Sequence, residues 1–267
     1  MCGMKGQTAA VRLWDMGSGL PLGELGDFLE EAFSPALDCL PRGMLVPGER
    51  TGGMARCLQA IRVIDPGRIG HRERPRTAGE LERIGAILAG SAPPEDRRAF
   101  MFDGLGIVGL AASSLGRGAL RRDTINIVFT AAMPCSWDPV ECRYRARSIL
   151  CGFPSIVSTS GAVEGPARPR GYYVAKMMGL TDAEARRKYL GRFLEHDDPR
   201  MPEVANGLAA QAVFYHLTGD PFCEREDCRL FNARWQEQLV ASQVRSPRFC
   251  ESHGRLIKGL KRKKSRD

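Results

Sequence analysis

Four residues that bind soft metals sit in two tight pairs near the C-terminal end of the sequence, Cys223 with Cys228 and Cys250 with His253. A CxxxxC and a CxxH each fit on one turn of chain, and the roughly twenty residues between them include an amphipathic helix that carries the second pair back to the first. Thiolates select zinc over magnesium or calcium, and three sulfurs with one imidazole make a closed tetrahedral set. A site filled by four protein ligands keeps no open position for water or substrate, so its expected role is a structural Zn2+ and not catalysis. The competing reading of the same residues is three ordinary buried thiols and a surface histidine.

The rest of the chain must supply a core for this clasp to close on, and 267 residues at 43% hydrophobic suffice for one. The expectation is a single α/β domain over residues 1–257, with a sheet-and-helix body over 1–200 and the zinc-binding part over 201–257. No run of eighteen apolar residues occurs, and the opening MCGMKGQTAAVRLWD lacks the pattern of an export signal. Nine cysteines then fit reduced thiols and a metal better than disulfides, which implies the cytoplasm and no membrane partner. The formal charge is +8, yet seven basic residues fall between Arg255 and Asp267, so the remainder is close to balanced. Residues 258–267 read as a basic flexible tail. It serves solubility, or touches nucleic acid through phosphate charge without sequence specificity.

Hydrophobic periodicity gives the elements. Ala9 to Trp14 reads as a strand, Leu22 to Phe33 as a helix, and Met44 to Val46 as a second strand, the opening of an α/β arrangement. Met54 to Ile64 fits helix and strand equally, and Asp65-Pro66-Gly67 breaks the chain. Thr77 with Glu80 caps a helix to Leu88, stopped by Gly90. Phe100 to Leu115 reads as a strand, a turn and a small-residue helix. Its glycines lack the spacing of a dinucleotide-binding turn. Thr124 to Thr130 is the clearest strand.

The block FPSIVSTSGAVEGPARPRGYY suits an edge strand or a cleft wall, where Ser155 to Val163 would accept an extended peptide as an added strand. Thr181 with Glu184 caps a helix through Leu194. Pro202 to His216 is an apolar helix ended by Gly219. Phe231, Trp235 and Leu239 recur every four residues on a helix from Leu230 to Gln243.

A catalytic metal would need further ligands. In an HExxHxxGxxH helix, His216 and Gly219 would be the second histidine and the glycine, but Ala212, Val213 and Phe222 stand where two histidines and the general base belong. One histidine does not hold a catalytic zinc, so no catalytic residue is assigned. Glu237, Asp220 and His216 are the set an unrecognised hydrolase site would use, and a non-catalytic peptide- or RNA-binding protein is the other alternative.

The order of apolar helix, HxxG, CxxxxC and final ligand pair resembles the archaemetzincins. These are zinc metallopeptidases whose catalytic helix runs directly into cysteines that bind a second, structural zinc. The blocks FPSIVSTSGAVEGPARPRGYY and DCRLFNARWQEQL are similar to a branch of putative metallopeptidases of that kind, over about residues 124 to 257. The resemblance implies a zincin-like or metzincin-like mixed sheet with flanking helices, a peptide or protein substrate, and a structural zinc at Cys223, Cys228, Cys250 and His253. It further implies histidine where this chain has Arg145 and Arg234, cations that suit a carboxylate or phosphate in place of a metal. With the HExxH residues missing, it does not carry peptidase activity over.

Overall fold

The computed structural model describes residues 9–33, 37–46, 48–69, 77–121 and 123–264. In chain order the elements are β1 (Ala9–Met16), α1 (Leu22–Phe33), β2 (Leu37–Met44), α2 (Thr51–Ala60), β3 (Arg62–Val63), α3 (Ala78–Leu88), α4 (Pro94–Ala99), β4 (Met101–Asp103) and α5 (Gly104–Leu115). Then come β5 (Thr124–Thr130), β6 (Met133–Asp138), β7 (Arg143–Ala146), β8 (Ile149–Leu150), β9 (Ser155–Ser158), α6 (Thr159–Glu164), α7 (Arg170–Met177) and α8 (Asp182–Lys188). The long α9 (Met201–Thr218), the short α10 (Gln236–Val240) with a π turn over Ala241–Arg245, and α11 (Glu251–Lys264) complete the chain.

Two mixed sheets result, which makes the fold class α/β with flanking helices. The first has the order β2-β1-β5-β9-β8, parallel except for β8 at its edge. The second, β3-β4-β6-β7, is antiparallel at both ends and parallel between β4 and β6. Strand periodicity divides the core in two. Ile127 and Phe129 point into one cluster with Leu25, Leu29 and Phe33 of α1 and Val204, Leu208 and Phe214 of α9. Val128 and Ile156 point into the other, with Leu58 of α2, Ile84 and Ile87 of α3, and Ile107 of α5.

The β5 strand is buried over its whole length because both faces of the sheet are covered. Its polar side chains are all answered. The Asn126 amide accepts from the Trp14 indole at 3.0 Å and donates to the Ala119 carbonyl at 2.9 Å, and the Thr130 hydroxyl donates to the Met16 carbonyl.

Several boundaries differ from the sequence expectation. The second strand lies at Leu37–Met44, ahead of Met44 to Val46. It is an edge strand, the position where Pro41, which has no N–H to donate, is tolerated. Met54 to Ile64 resolves as the second half of α2 followed by β3. The Thr181–Glu184 capping box is present, but α8 stops at Lys188. Gly191 then turns through the left-handed region and brings Phe193 and Leu194 back into the interior.

The expected peptide-accepting edge from Ser155 to Val163 does not exist. Strand β9 is paired on both sides, and Ser155 through Val163 are buried. The hydroxyls of the segment pin it internally, Ser158 donating to the Ala132 carbonyl at 2.7 Å and Ser160 to the Ala131 carbonyl at 2.6 Å. Basic residues from Lys258 onward begin as turns of α11, whose Ile257 reaches the main core; residues 265–267 lie outside the described segments.

Candidate metal centre and the adjoining cleft

Two structural decisions build the cysteine site. Helix α9 ends where Gly219 takes φ +82°, a left-handed cap that releases the chain sharply into Asp220–Cys223. The segment carrying the first pair then folds on itself, with the Cys223 N–H donating to the Leu230 carbonyl at 2.9 Å and a bridge joining Cys223 to Phe231. That extended pairing is why the helix expected from Leu230 begins only at Gln236: Phe231 is occupied in a bridge, and Cys228 must face inward. The second pair sits at the first turn of α11.

The structure brings Cys223, Cys228, Cys250 and His253 together, with one ligand atom from each lying within 4.8 Å of all the others. The Cys223 and Cys250 sulfurs are 4.0 Å apart, and the His253 Nδ1 is 3.7 Å from the Cys228 sulfur and 3.1 Å from the Cys250 sulfur. A zinc ion about 2.3 Å from each sulfur, with tetrahedral angles, requires sulfurs roughly 3.8 Å apart. The donor set and its spacing therefore fit zinc. Among the described residues this is the one group of three or more His, Cys, Asp or Glu side chains placed to share an ion.

Its electrostatics suit a metal thiolate. Burial opposes the Cys250 thiolate, but hydrogen bonds from the His253 backbone and ring and from the Cys228 and Cys223 thiols outweigh it, leaving the group at about 7. Burial pushes the Cys228 thiol up. A cation at the centre removes that penalty.

The centre is continuous with the main core. Cys228 and Cys250 belong to the same buried cluster as Leu13 and Phe129. The His253 ring meets Phe214 of α9 edge-on at 5.3 Å, and Phe214 in turn meets Phe33 at 5.7 Å and Phe249 at 6.0 Å. Buried polar side chains that sequence reasoning missed hold the surrounding loops. Gln236 donates to the carbonyls of Ala162 and Val163, both at 2.8 Å, and accepts from the Leu194 N–H at 3.1 Å. Arg229 is 4% exposed, pairs with Glu203 and lies over the Phe28 ring. Periodicity treats a glutamine or arginine as surface, so no pattern in the sequence marks them.

The other candidates lie apart. His216, largely buried at the end of α9, faces the Ser155 hydroxyl at 3.2 Å and reaches the Gly152 backbone. Burial lowers it to about 4, so it is a neutral imidazole. Asp220 is exposed, and Glu237 pairs with Arg192. Among the described residues these three are not placed to share a metal ion. Arg145 is engaged by Glu141 and Asp138, while Arg234 is exposed and makes no ion pair among the described residues.

Arg145 and Arg234 do line one cleft, of about 1000 Å³, together with Arg147, Ser136 and Trp235. A smaller recess of about 490 Å³ continues from it past Phe222, Asn232, Arg234 and Trp235 to Asp220 and Glu224. One wall of the cleft depends on a glycine: a Cβ on Gly161 would lie 2.0 Å from the Arg147 carbonyl oxygen, so α6 approaches the β7–β8 link only because position 161 has no side chain.

Mixed sheets, flanking helices and a closed cluster of three thiols and an imidazole define an α/β protein with a thiolate-type metal centre. The model of a probable metallopeptidase family (DUF6775) matches residues 16–260, and the chain belongs to that family. No curated protein matches it. Among solved structures, it is similar to a zinc-dependent peptidase from Methanocorpusculum labreanum (strain Z), with 12% identity over 93% of this chain and 98% of that one and a TM-score of 0.38. At that level of similarity, the reading of the site rests on the residues themselves.

Proposed function

We propose that the chain is a metallopeptidase-like protein of the archaemetzincin type, in which Cys223, Cys228, Cys250 and His253 hold a structural zinc and the peptidase site is degenerate. The observation that carries the reading is the convergence of the four donors, all within 4.8 Å of one another, a closed set that fills every coordination position of a tetrahedral zinc. For the peptidase site, the support is what stands around His216. Ala212 and Val213 are wholly buried one turn before it, where a second imidazole and a carboxylate would have to project, and its own ring is held by Ser155. A thiolate metal site and five further free thiols among the described residues suit a reducing compartment, so we place the protein in the cytoplasm. Its partner on this reading is a peptide or protein that is bound without being cut.

Metal analysis tests the proposal. The purified chain is expected to carry one zinc, Cys228→Ser to carry none, and neither to show peptide cleavage that a chelator abolishes. A second equivalent of metal accompanied by chelator-sensitive cleavage would overturn the degenerate site. Zinc content unchanged in Cys228→Ser would overturn the structural one.

A further inference from the structure

The cleft beside β7 has a charge arrangement that the metal centre does not use. Three arginines line it, and its two carboxylates, Asp138 and Glu141, both sit on Arg145. Arg147 donates from Nε to the Ser136 hydroxyl at 2.7 Å, and neither it nor Arg234 forms an ion pair among the described residues. Two guanidiniums thus line one cavity without an ion pair among the described residues, and Asp138, which sits on Arg145, acts on Arg147 only at longer range.

Much of the remaining lining is apolar, and two of its side chains stand open to solvent. Leu105 is 85% exposed and Val140 is 91% exposed, and both belong to this cleft. Large aliphatic side chains left that bare beside a cavity are the surface an apolar ligand group would cover. Trp235 adds an aromatic wall shared with the adjoining recess and is steadied by the Arg170 guanidinium, 5.1 Å from its ring centroid.

We propose that this cleft binds an organic oxyanion, a carboxylate or phosphate group joined to an apolar body, with Arg147 and Arg234 receiving the oxygens and Trp235, Leu105 and Val140 covering the body. Guanidinium is suited to this because its planar donors match the two oxygens of a carboxylate or phosphate. The volume accommodates a ligand the size of a short peptide, far more than a free ion needs. The inference goes beyond the proposed function and is independent of whether any peptide is cleaved, because its readout is binding alone.

The test titrates the full zinc-loaded chain, following tryptophan fluorescence and heat. Three probes are used: an N-acetylated Ala-Ala-Phe tripeptide with a free C-terminal carboxylate, the same tripeptide as its C-terminal amide, and N-acetyl phosphotyrosine amide. One of the two anions is expected to bind about tenfold or more tighter than the neutral amide, as the loss of a charge-assisted hydrogen bond implies. Preference for the tripeptide acid identifies a carboxylate ligand, and preference for the phosphotyrosine identifies a phosphate. Raising the ionic strength to about 1 M, where charges are screened within roughly 3 Å, should weaken the anion and leave the amide unchanged. Arg147→Gln and Arg234→Gln should each reduce anion affinity severalfold with zinc content and melting temperature unaltered. Should Arg147→Gln fail to fold, the exposed Arg234 decides alone. Equal binding of acid, amide and phosphate, or an Arg234→Gln variant that binds the anion as the parent does, overturns the proposal.

Discussion

His216 stands apart from the metal centre with its ring held against another segment. Its imidazole is desolvated and held at about 4, against an ordinary value of 6.5, so the fold keeps it neutral while an unfolded chain would protonate it near pH 6. The sign follows from linkage: where the unfolded state binds the extra proton, stability rises with pH. The contribution of His216 is therefore complete above about pH 6.5, declines as pH falls from there to about 4, and changes no further below that. Because the side chain is only partly shielded, its size is on the order of 1–2 kcal/mol. Denaturant unfolding of the parent and of His216→Asn should show this as a difference in slope between pH 6.5 and 4, the variant being flatter. Equal slopes would mean that the ring is solvated and free to take a proton. That a histidine stood at this helix end was legible in the sequence. Its isolation was not, because only the fold places Ser155 and Gly152, some sixty residues earlier, against the ring.

At the scale of elements, the joint between α6 and α10 decides how the C-terminal part is attached. Gln236 is wholly buried, and its amide makes three hydrogen bonds to backbone groups of two other segments. Replacing it by alanine leaves two carbonyls and one N–H without partners in a dry site and opens a cavity. The expected cost is about 2–4 kcal/mol, read as a lower midpoint in denaturant. Gln236→Glu should be nearly as damaging, because a carboxylate can accept from Leu194 but has nothing to donate to Ala162 and Val163. If the glutamate variant is as stable as the parent, the donor side of the amide is not what holds the joint.

The same joint explains which elements could be read from the chain in advance. Helix α1 was legible to the residue because a single apolar face, Leu25, Leu29 and Phe33, decides it locally. The helix expected from Leu230 was not, since the spacing of Phe231, Trp235 and Leu239 is helical while Phe231 is recruited to pair with Cys223. In the same way, the serines and threonines of β9 and α6 look like a surface and are internal staples. Long-range partners overrule local pattern wherever a polar side chain finds its acceptor inside.

For the whole molecule, the question is whether the metal centre stabilises a C-terminal appendage or the entire core. The sequence alone favours the first, since all four donors fall within one stretch of 31 residues, Cys223 to His253. The packing favours the second. Two of the ligands lie in the cluster that contains the central strand residues Ile127 and Phe129, and the third sulfur packs against it. His253 joins an aromatic chain through Phe214 to Phe33 of α1. Zinc in a Cys3His set contributes on the order of 10 kcal/mol, comparable with the 5–15 kcal/mol that separates a typical folded chain from its unfolded state. Removing it should therefore not melt residues 201–264 while leaving the sheets intact. Calorimetry of the metal-loaded protein and of the chelated protein is expected to show one transition in each, displaced downward by about 10 °C or more on chelation. Far-ultraviolet and tryptophan signals should move together, since Trp14 lies in β1 and Trp235 beside the metal centre's own loop. Two separated transitions, the earlier one confined to Trp235, would instead mean that the aromatic chain from His253 to Phe33 transmits no stability, and that the zinc clasp folds as a unit of its own.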